Sequence, residues 1–280
     1  MSATTLARPL RHRTDDPPGS ANRLTIDEQA AQLLSAHHLD TPLLLANVWD
    51  AASAQIVEAA GLRFVATSSR AIAQVFGEPD DDSSDPDQIF SHISRIARSV
   101  SVPVTADLQA GFRLDPSELV ERMLDAGVVG CNLEDTDHHG GGGLLDPFEQ
   151  ASYLEAVRAA SQAAGVHVVL NARTDVYLRG SGDEHDQLHE AIQRGRLYHE
   201  AGADCVYPFS VTNRDHVESL IEAIPGPLNF VARRGRFSIG ELTALGAQRI
   251  SLASGIFHLV TARLDEIARS LAQGRDVDDL

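Results

Sequence analysis

The sequence predicts a (β/α)8 barrel. Three observations carry this expectation. Eight short apolar runs recur along the 280-residue chain, helix-like segments separate them, and charged residues sit just past several of the runs. Runs that are continuous rather than alternating in apolar residues are what strands buried on both faces require. Parallel strands need crossover connections, which the helical segments supply. Eight such units favour a closed barrel over an open doubly wound sheet, and no Gly-x-Gly-x-x-Gly follows an early run to suggest dinucleotide binding.

The expected strands cover residues 43–46, 64–67, 102–106, 130–133, 166–171, 204–207, 228–231 and 249–252. Residues 26–37 read as a helix ahead of the first strand, placed to cover the bottom of the barrel. Ile89, Ile93, Ile96 and Val100 recur at helical spacing, as do Leu119, Val120, Met123 and Leu124. Helix starts are marked by Asp85-Pro86, Asp115-Pro116 and Asp146-Pro147, because Asp satisfies orphan N–H groups and Pro suits the first helical position. Gly61, Gly127, Gly165, Gly202 and Gly246 stand where the helices should stop. Residues 255–273 form a long amphipathic tail carrying Ile256, Leu259, Val260, Leu264, Ile267 and Leu271, which either closes the barrel or reaches a neighbouring subunit. Residues 1–23 mix Arg, Asp, Pro, Gly and Ser and are expected to be a disordered tail, which leaves 24–280 as one barrel domain.

Composition narrows the function. A formal net charge of −17 argues against nucleic acid and anionic membrane surfaces, both of which call for a basic face. No apolar stretch approaches the length of a membrane span. The two cysteines, Cys131 and Cys205, each lie in an apolar run, as buried thiols in a reducing, cytoplasmic compartment would.

The charges past the runs would gather at one end of a parallel barrel, where active sites are built. Asp107, followed by a small, Gly-bearing turn, reads either as a hard-cation ligand or as an acid that caps the loop or pairs with an arginine. In Glu134-Asp135, neighbouring residues point to opposite sides, so at most one faces the barrel axis; Glu134 is the better metal candidate. Arg173 could clamp an anionic group with two parallel hydrogen bonds, or form a salt bridge to Glu134 or Asp175. His138 and His139 precede four glycines, 140–143, which suggests a lid or a plain connection; adjacent histidines lack the spacing of a helical zinc site.

Taken in order, Asn47-Val48-Trp49-Asp50-Ala51-Ala52-Ser53-Ala54, Ala66-Thr67-Ser68-Ser69, Val104-Thr105-Ala106-Asp107, Gly130-Cys131-Asn132-Leu133-Glu134-Asp135, Leu170-Asn171-Ala172-Arg173-Thr174-Asp175 and Ala201-Gly202-Ala203-Asp204 resemble the isocitrate lyase/phosphoenolpyruvate mutase family. The resemblance spans roughly residues 43–259. It implies a barrel whose terminal helix is exchanged between subunits of a homo-oligomer, a dimer or homotetramer. It also implies Mg²⁺ and a small carboxylate substrate whose C–C or P–C bond is made or broken through an enolate. Asp107 matches the main metal ligand, and Asp80 and Glu134 match acids that hold its waters. Trp49, Thr67, Ser68 and Ser69 fall among the substrate-binding residues, and Arg173 matches the arginine that grips the substrate's anionic end.

Two departures accompany the resemblance. The family's second acid, two residues after the main ligand, is Gln109 here. The lyases' Lys-Lys-Cys-Gly-His lid is replaced by Asp137-His138-His139 and glycines, and the mutases' lid Lys and Asn are missing. The expectation is therefore a Mg²⁺-dependent carbon–carbon lyase for a small oxo- or hydroxy-dicarboxylate, with His138 or His139 as proton donor. The alternatives are a P–C bond mutase or hydrolase, a metal-dependent aldolase, and an oxo-acid-binding protein without turnover.

Overall fold

The eight apolar runs become β1 (Leu43–Val48), β2 (Val65–Thr67), β3 (Val104–Asp107), β4 (Gly130–Glu134), β5 (Val169–Thr174), β6 (Cys205–Pro208), β7 (Asn229–Val231) and β8 (Arg249–Ser251). In this computed structural model, which describes residues 24–276, the strands pair in parallel in the order β6-β5-β4-β3-β2-β1-β8-β7. A parallel bridge between Val206 and Leu228 joins the two ends, with the Val206 N–H donating to the Pro227 carbonyl at 3.0 Å. The ring is thus the expected (β/α)8 barrel.

The helices are α1 (Ile26–Ala36), α2 (Ala51–Ala59), α3 (Ser69–Phe76), α4 (Pro86–Ser99), α5 (Pro116–Ala126), α6 (Pro147–Ala163), α7 (Val176–Arg179), α8 (Glu184–Glu200), α9 (Arg214–Ala223), α10 (Ile239–Leu245) and α11 (Gly255–Ala272). Asp85, Asp115 and Asp146 are the N-caps of α4, α5 and α6, each with proline in the first turn. The carboxylates of Asp85 and Asp146 accept backbone N–H groups, whereas that of Asp115 makes no capping bond. Gly127 and Gly246 end α5 and α10 in the left-handed region, where glycine carries no Cβ penalty.

Helix α1 covers the barrel's bottom. A Cβ built on Gly130, the first residue of β4, would lie 2.8 Å from the Leu33 side chain of α1. Glycine lets that leucine, itself fully buried, seal the lower end.

One strand is displaced from its expected range. β5 was expected at 166–171 and runs Val169–Thr174. The Ser161 hydroxyl accepts from the Val168 N–H at 2.9 Å and donates to the Val166 carbonyl at 2.6 Å. Those backbone groups are satisfied locally and do not enter the ladder. The shift places Arg173 inside β5, paired in register with Glu134, rather than in the loop beyond it.

Helix α11 keeps only Phe257 buried; Leu259 and Leu264 are 65% and 62% exposed, and Val260 and Leu271 are also exposed. It does not close its own barrel with its apolar face. Cys131 and Cys205 are buried free thiols, and burial pushes both up to about 12. Among the described residues no helix is long and apolar enough to cross a membrane. The disordered tail expected at 1–23 lies outside the described residues.

Candidate active site

The C-terminal ends of the strands surround a cavity of about 70 Å³ whose lining includes Ser68, Ser69, Asp80, Asp107, Glu134, His138 and Arg173. A larger groove of about 860 Å³ runs between α6 and α8 outside the barrel and contains none of these groups. Chemistry, not size, marks the site.

Asp107 ends β3. Its backbone N–H donates to Thr67 Oγ1 at 2.9 Å, which ties β3 to β2. Oδ2 accepts from the Ser69 N–H at 3.1 Å and the Ser69 hydroxyl at 2.9 Å, and Oδ1 accepts from Asn132 Nδ2 at 3.3 Å. Every one of these donors is neutral. Burial pushes the Asp107 carboxyl above the usual range, against the charge of nearby Arg173. Asp80 faces it across the cavity and accepts from Gln109 Nε2 at 2.6 Å. Gln109 itself sits at φ 52°, and Ala253 beyond β8 at φ 47°, so the rim is built partly from left-handed backbone.

Arg173 is held by two carboxylates. Nε and Nη2 donate to the two oxygens of Asp175 at 2.7 and 2.9 Å, and Nη1 reaches Glu134 Oε2 at 2.5 Å. Its guanidinium also stacks 4.0 Å over the Phe209 ring. Asp175 is fixed in turn by Thr136, whose hydroxyl donates to it, and by its own N–H donating to Asp135 Oδ1 at 2.8 Å. Asp135 points away from the axis toward α8, where Tyr198 and Arg194 donate to its Oδ2 at 2.7 and 3.2 Å. The Glu134-Asp135 pair is therefore split as strand geometry requires, one acid inward and one outward.

The two histidines separate. His138 lines the cavity and its Nε2 lies 2.5 Å from Glu134 Oε1. Burial depresses the imidazole, but the hydrogen bond and charge of Glu134 outweigh it, and its pKa lies above the ordinary histidine value. His139 does not line the cavity. Its Nε2 lies 3.2 Å from Asp82 Oδ2, and Asp82 Oδ1 accepts from the Phe112 N–H at 3.0 Å. His139 thereby touches the loop between α3 and α4, which Asp82 ties to the loop beyond β3, rather than a reacting group. Residues 137–143 form a tied turn, with Asp137 N–H donating to the Gly143 carbonyl and Gly142 N–H to the Asp137 carbonyl, both at 2.8 Å. Trp49 is likewise outside the lining and packs edge-on against Phe257 at 5.1 Å. Thr67 acts through the Asp107 backbone, also behind the cavity wall.

The donor set bears on the expected cation. Among the described residues no group of three or more His, Cys, Asp or Glu is clustered tightly enough to cage a metal. Both Glu134 oxygens are engaged, one by His138 and one by Arg173. Asp107 is a half-buried carboxylate bonded only by neutral groups, with Asp80 nearby. That set fits Mg²⁺, which keeps several waters and uses one or two carboxylates, and does not fit a zinc site.

A family model described as phosphoenolpyruvate phosphomutase matches residues 33–272. The chain belongs to the phosphoenolpyruvate phosphomutase family. A 2-methylisocitrate lyase of Halalkalibacterium halodurans is 25% identical over 224 residues, covering 77% of this chain and 71% of that protein. An oxaloacetate decarboxylase of Rhodopseudomonas palustris is 25% identical over 240 residues, covering 82% and 79%. The crystal structure of a candidate phosphonomutase of Burkholderia cenocepacia superposes with a TM-score of 0.81 at 31% identity, over 89% of this chain and all of that one. This family member is thus an enzyme of the isocitrate lyase/phosphoenolpyruvate mutase type, the type its sequence motifs resemble.

Proposed function

We propose that the chain is a Mg²⁺-dependent carbon–carbon lyase that acts on a small oxo- or hydroxy-dicarboxylate and releases a pyruvate-like enolate. The observation that carries this reading is one cavity holding a half-buried carboxylate bonded only by neutral donors, Asp107, beside an arginine and a histidine whose pKa is raised by Glu134. The names of the lyase and decarboxylase relatives support the carboxylate substrate class.

Asp107 would hold the cation directly, with Asp80 and Glu134 bonding its waters. When bound, Mg²⁺ supplies Lewis-acid stabilisation of negative charge on a substrate oxygen. In this loop Ser69 is engaged on Asp107, so the Ser68 hydroxyl, which only accepts from the Ala71 N–H, would meet the near carboxylate, and Arg173 would take the distal one. Trp49 and Thr67 support this binding surface from behind. His138, whose pKa the contact with Glu134 raises, would deliver a proton to the enolate carbon after the bond breaks, and with a hydroxy substrate that proton would be the one its imidazole takes from the hydroxyl as the bond opens. His139 positions the loop from Asp82 and does not exchange the proton.

The test is a turnover screen in Mg²⁺ of oxo- and hydroxy-diacids, with phosphonopyruvate and oxaloacetate included. Cleavage of a diacid, abolished by chelator, supports the lyase. Turnover of phosphonopyruvate alone supports the second reading, a P–C bond enzyme, which the family's description and the phosphonomutase relative favour. Binding without turnover of any of them would point to an oxo-acid-binding protein.

Gln109→Glu would set a carboxylate against Asp80, which Gln109 now faces at 2.6 Å. The variant should melt lower in chelator and bind Mg²⁺ more tightly, since a divalent ion relieves the repulsion. Melting curves with and without metal check both halves, and unchanged metal affinity would remove Gln109 from the cation's surroundings.

The apolar face of α11 supports a homo-oligomer in which that helix packs on a second copy, as a dimer or tetramer. A chain ending at Ser254 should sediment as a monomer and melt lower. A monomeric full-length chain at micromolar concentration would contradict this.

A further inference from the structure

Arg249, at the start of β8, is 1% exposed and lies inside the barrel beneath the cavity. A buried guanidinium is ordinarily matched by a carboxylate. Here it is not: Nη2 donates to Asn132 Oδ1 at 3.1 Å, Nη1 reaches His37 Nε2 at 3.3 Å, and Nε has no partner. His37 donates from Nδ1 to the Leu33 carbonyl at 2.8 Å, so its Nε2 is the lone pair that accepts from Arg249. The proposed mechanism uses none of this.

Asn132 stands between Arg249 and the site. Its Oδ1 accepts from Arg249 and from Asn171 Nδ2 at 2.7 Å, and its Nδ2 donates to Asp107 Oδ1 at 3.3 Å. An asparagine amide can present either end to a neighbour, and its direction follows from the groups around it. Asn171 cannot set that direction, because its own Oδ1 is buried without a partner, and turning its amide over would give up no other bond. Arginine can only donate. Arg249 therefore requires the oxygen of Asn132 to face down, the same orientation in which its N–H₂ faces up, as the acceptor Asp107 needs.

We infer that Arg249 is a positioning residue for the active site: it orients the Asn132 amide so that Asp107 meets a donor and not a second acceptor. The inference rests on the reading of Asp107 as the cation's carboxylate. Without Arg249, only the 3.3 Å contact with Asp107 opposes a joint reversal of Asn132 and Asn171, and in the reversed pair the Asn132 oxygen opposes Asp107 Oδ1. That pushes the carboxylate out of the position Ser69 gives it. In the sequence Asn132 and Asn171 each stand between apolar neighbours, and the two are directly paired across β4 and β5.

The experiment compares wild type, Arg249→Met, Arg249→Gln, Arg249→Lys, Asn132→Leu and the Arg249→Met/Asn132→Leu double variant. Mn²⁺ affinity is measured by calorimetry without substrate, and the Asn132 side-chain amide signals are recorded without metal. Methionine and glutamine should each weaken Mn²⁺ by about tenfold, the scale of one hydrogen bond to a charged group. Lysine, donor-only like arginine, should stay within about threefold, although glutamine is the closer match in polarity. In the Asn132→Leu background the methionine change should alter affinity by less than about twofold, since the effect passes through Asn132. Glutamine keeps the test valid should the methionine variant fail to fold. Equal losses with and without Asn132 would mean that Arg249 acts by charge or packing, and would overturn the inference. If wild type binds no Mn²⁺ that depends on Asp107, the proposed function fails, and the amide signals still decide: shifted or doubled Asn132 signals in Arg249→Gln support the orientation, and unchanged signals refute it.

Discussion

Asp107→Ala should lower Mg²⁺-dependent turnover by about 10²–10³-fold or more, the scale seen when one preorganised electrostatic group is removed from an active site. The same variant should not melt lower than wild type in chelator. Asp107 is a half-buried charge with no cationic hydrogen-bond partner, and such a group costs folding energy unless a cation meets it. The pH dependence has a definite sign. Burial raises the Asp107 carboxyl in the folded chain, so its contribution to stability is complete below the unfolded pKa and is lost as pH rises through the folded one. The stability of Asp107→Ala relative to wild type should therefore improve as pH rises through that range, and added Mg²⁺ should reverse the order by stabilising only wild type. Melting curves across pH with and without Mg²⁺ read all three effects. Undiminished turnover of the alanine variant, or of wild type in excess chelator, would remove Asp107 from the chemistry.

The barrel was legible because each strand is an apolar run bounded by local signals. The Asp-Pro starts of α4, α5 and α6 and the glycine stops of α5 and α10 depend on neighbours within a few residues. The β5 boundary was not, since it turns on Ser161 competing for backbone groups of residues 166–168. The site divides in the same way. Asp107, Ser68, Ser69 and Arg173 follow from strand ends and motif order, and the structure brings all four to one cavity. His138 and His139 are equivalent in sequence, and only the fold separates them, by placing Glu134 beside one and Asp82 beside the other. Glu134 and Asp175 were both read as partners of Arg173 and both hold it; what went unread lies behind them, because Asp175 leans on Asp135, and Asp135 on Tyr198 and Arg194 of the distant α8. The signal that was available for the barrel interior was a polar residue inside each of two adjacent apolar strands, Asn132 and Asn171.

Arg173→Lys and Arg173→Met should separate the two duties of this arginine. Three of its five N–H groups are already engaged by Asp175 and Glu134, which leaves two for a substrate carboxylate. Two charge-assisted bonds, each about 1.5–3 kcal/mol, correspond to roughly 10²–10⁴-fold in kcat/KM. Lysine retains the charge but cannot span Asp175, Glu134 and a substrate together, so it should lose most of that factor while largely preserving the fold. Methionine should lose the activity and also destabilise the chain by about 3–5 kcal/mol, because Glu134 and Asp175 are then buried without their shared cation. Glu134 is already raised by burial in the wild type, with Arg173 opposing the rise. Removing Arg173 raises it further, and a raised carboxyl loses its stabilising contribution as pH climbs through the folded pKa. The melting deficit of Arg173→Met against wild type should thus be smallest at acid pH and grow toward neutrality. A deficit that is flat with pH would mean that the arginine acts through its stacking on Phe209 rather than through the two carboxylates. A lysine variant with wild-type kcat/KM would show that Arg173 is a structural ion pair and that the substrate's distal acid is held elsewhere.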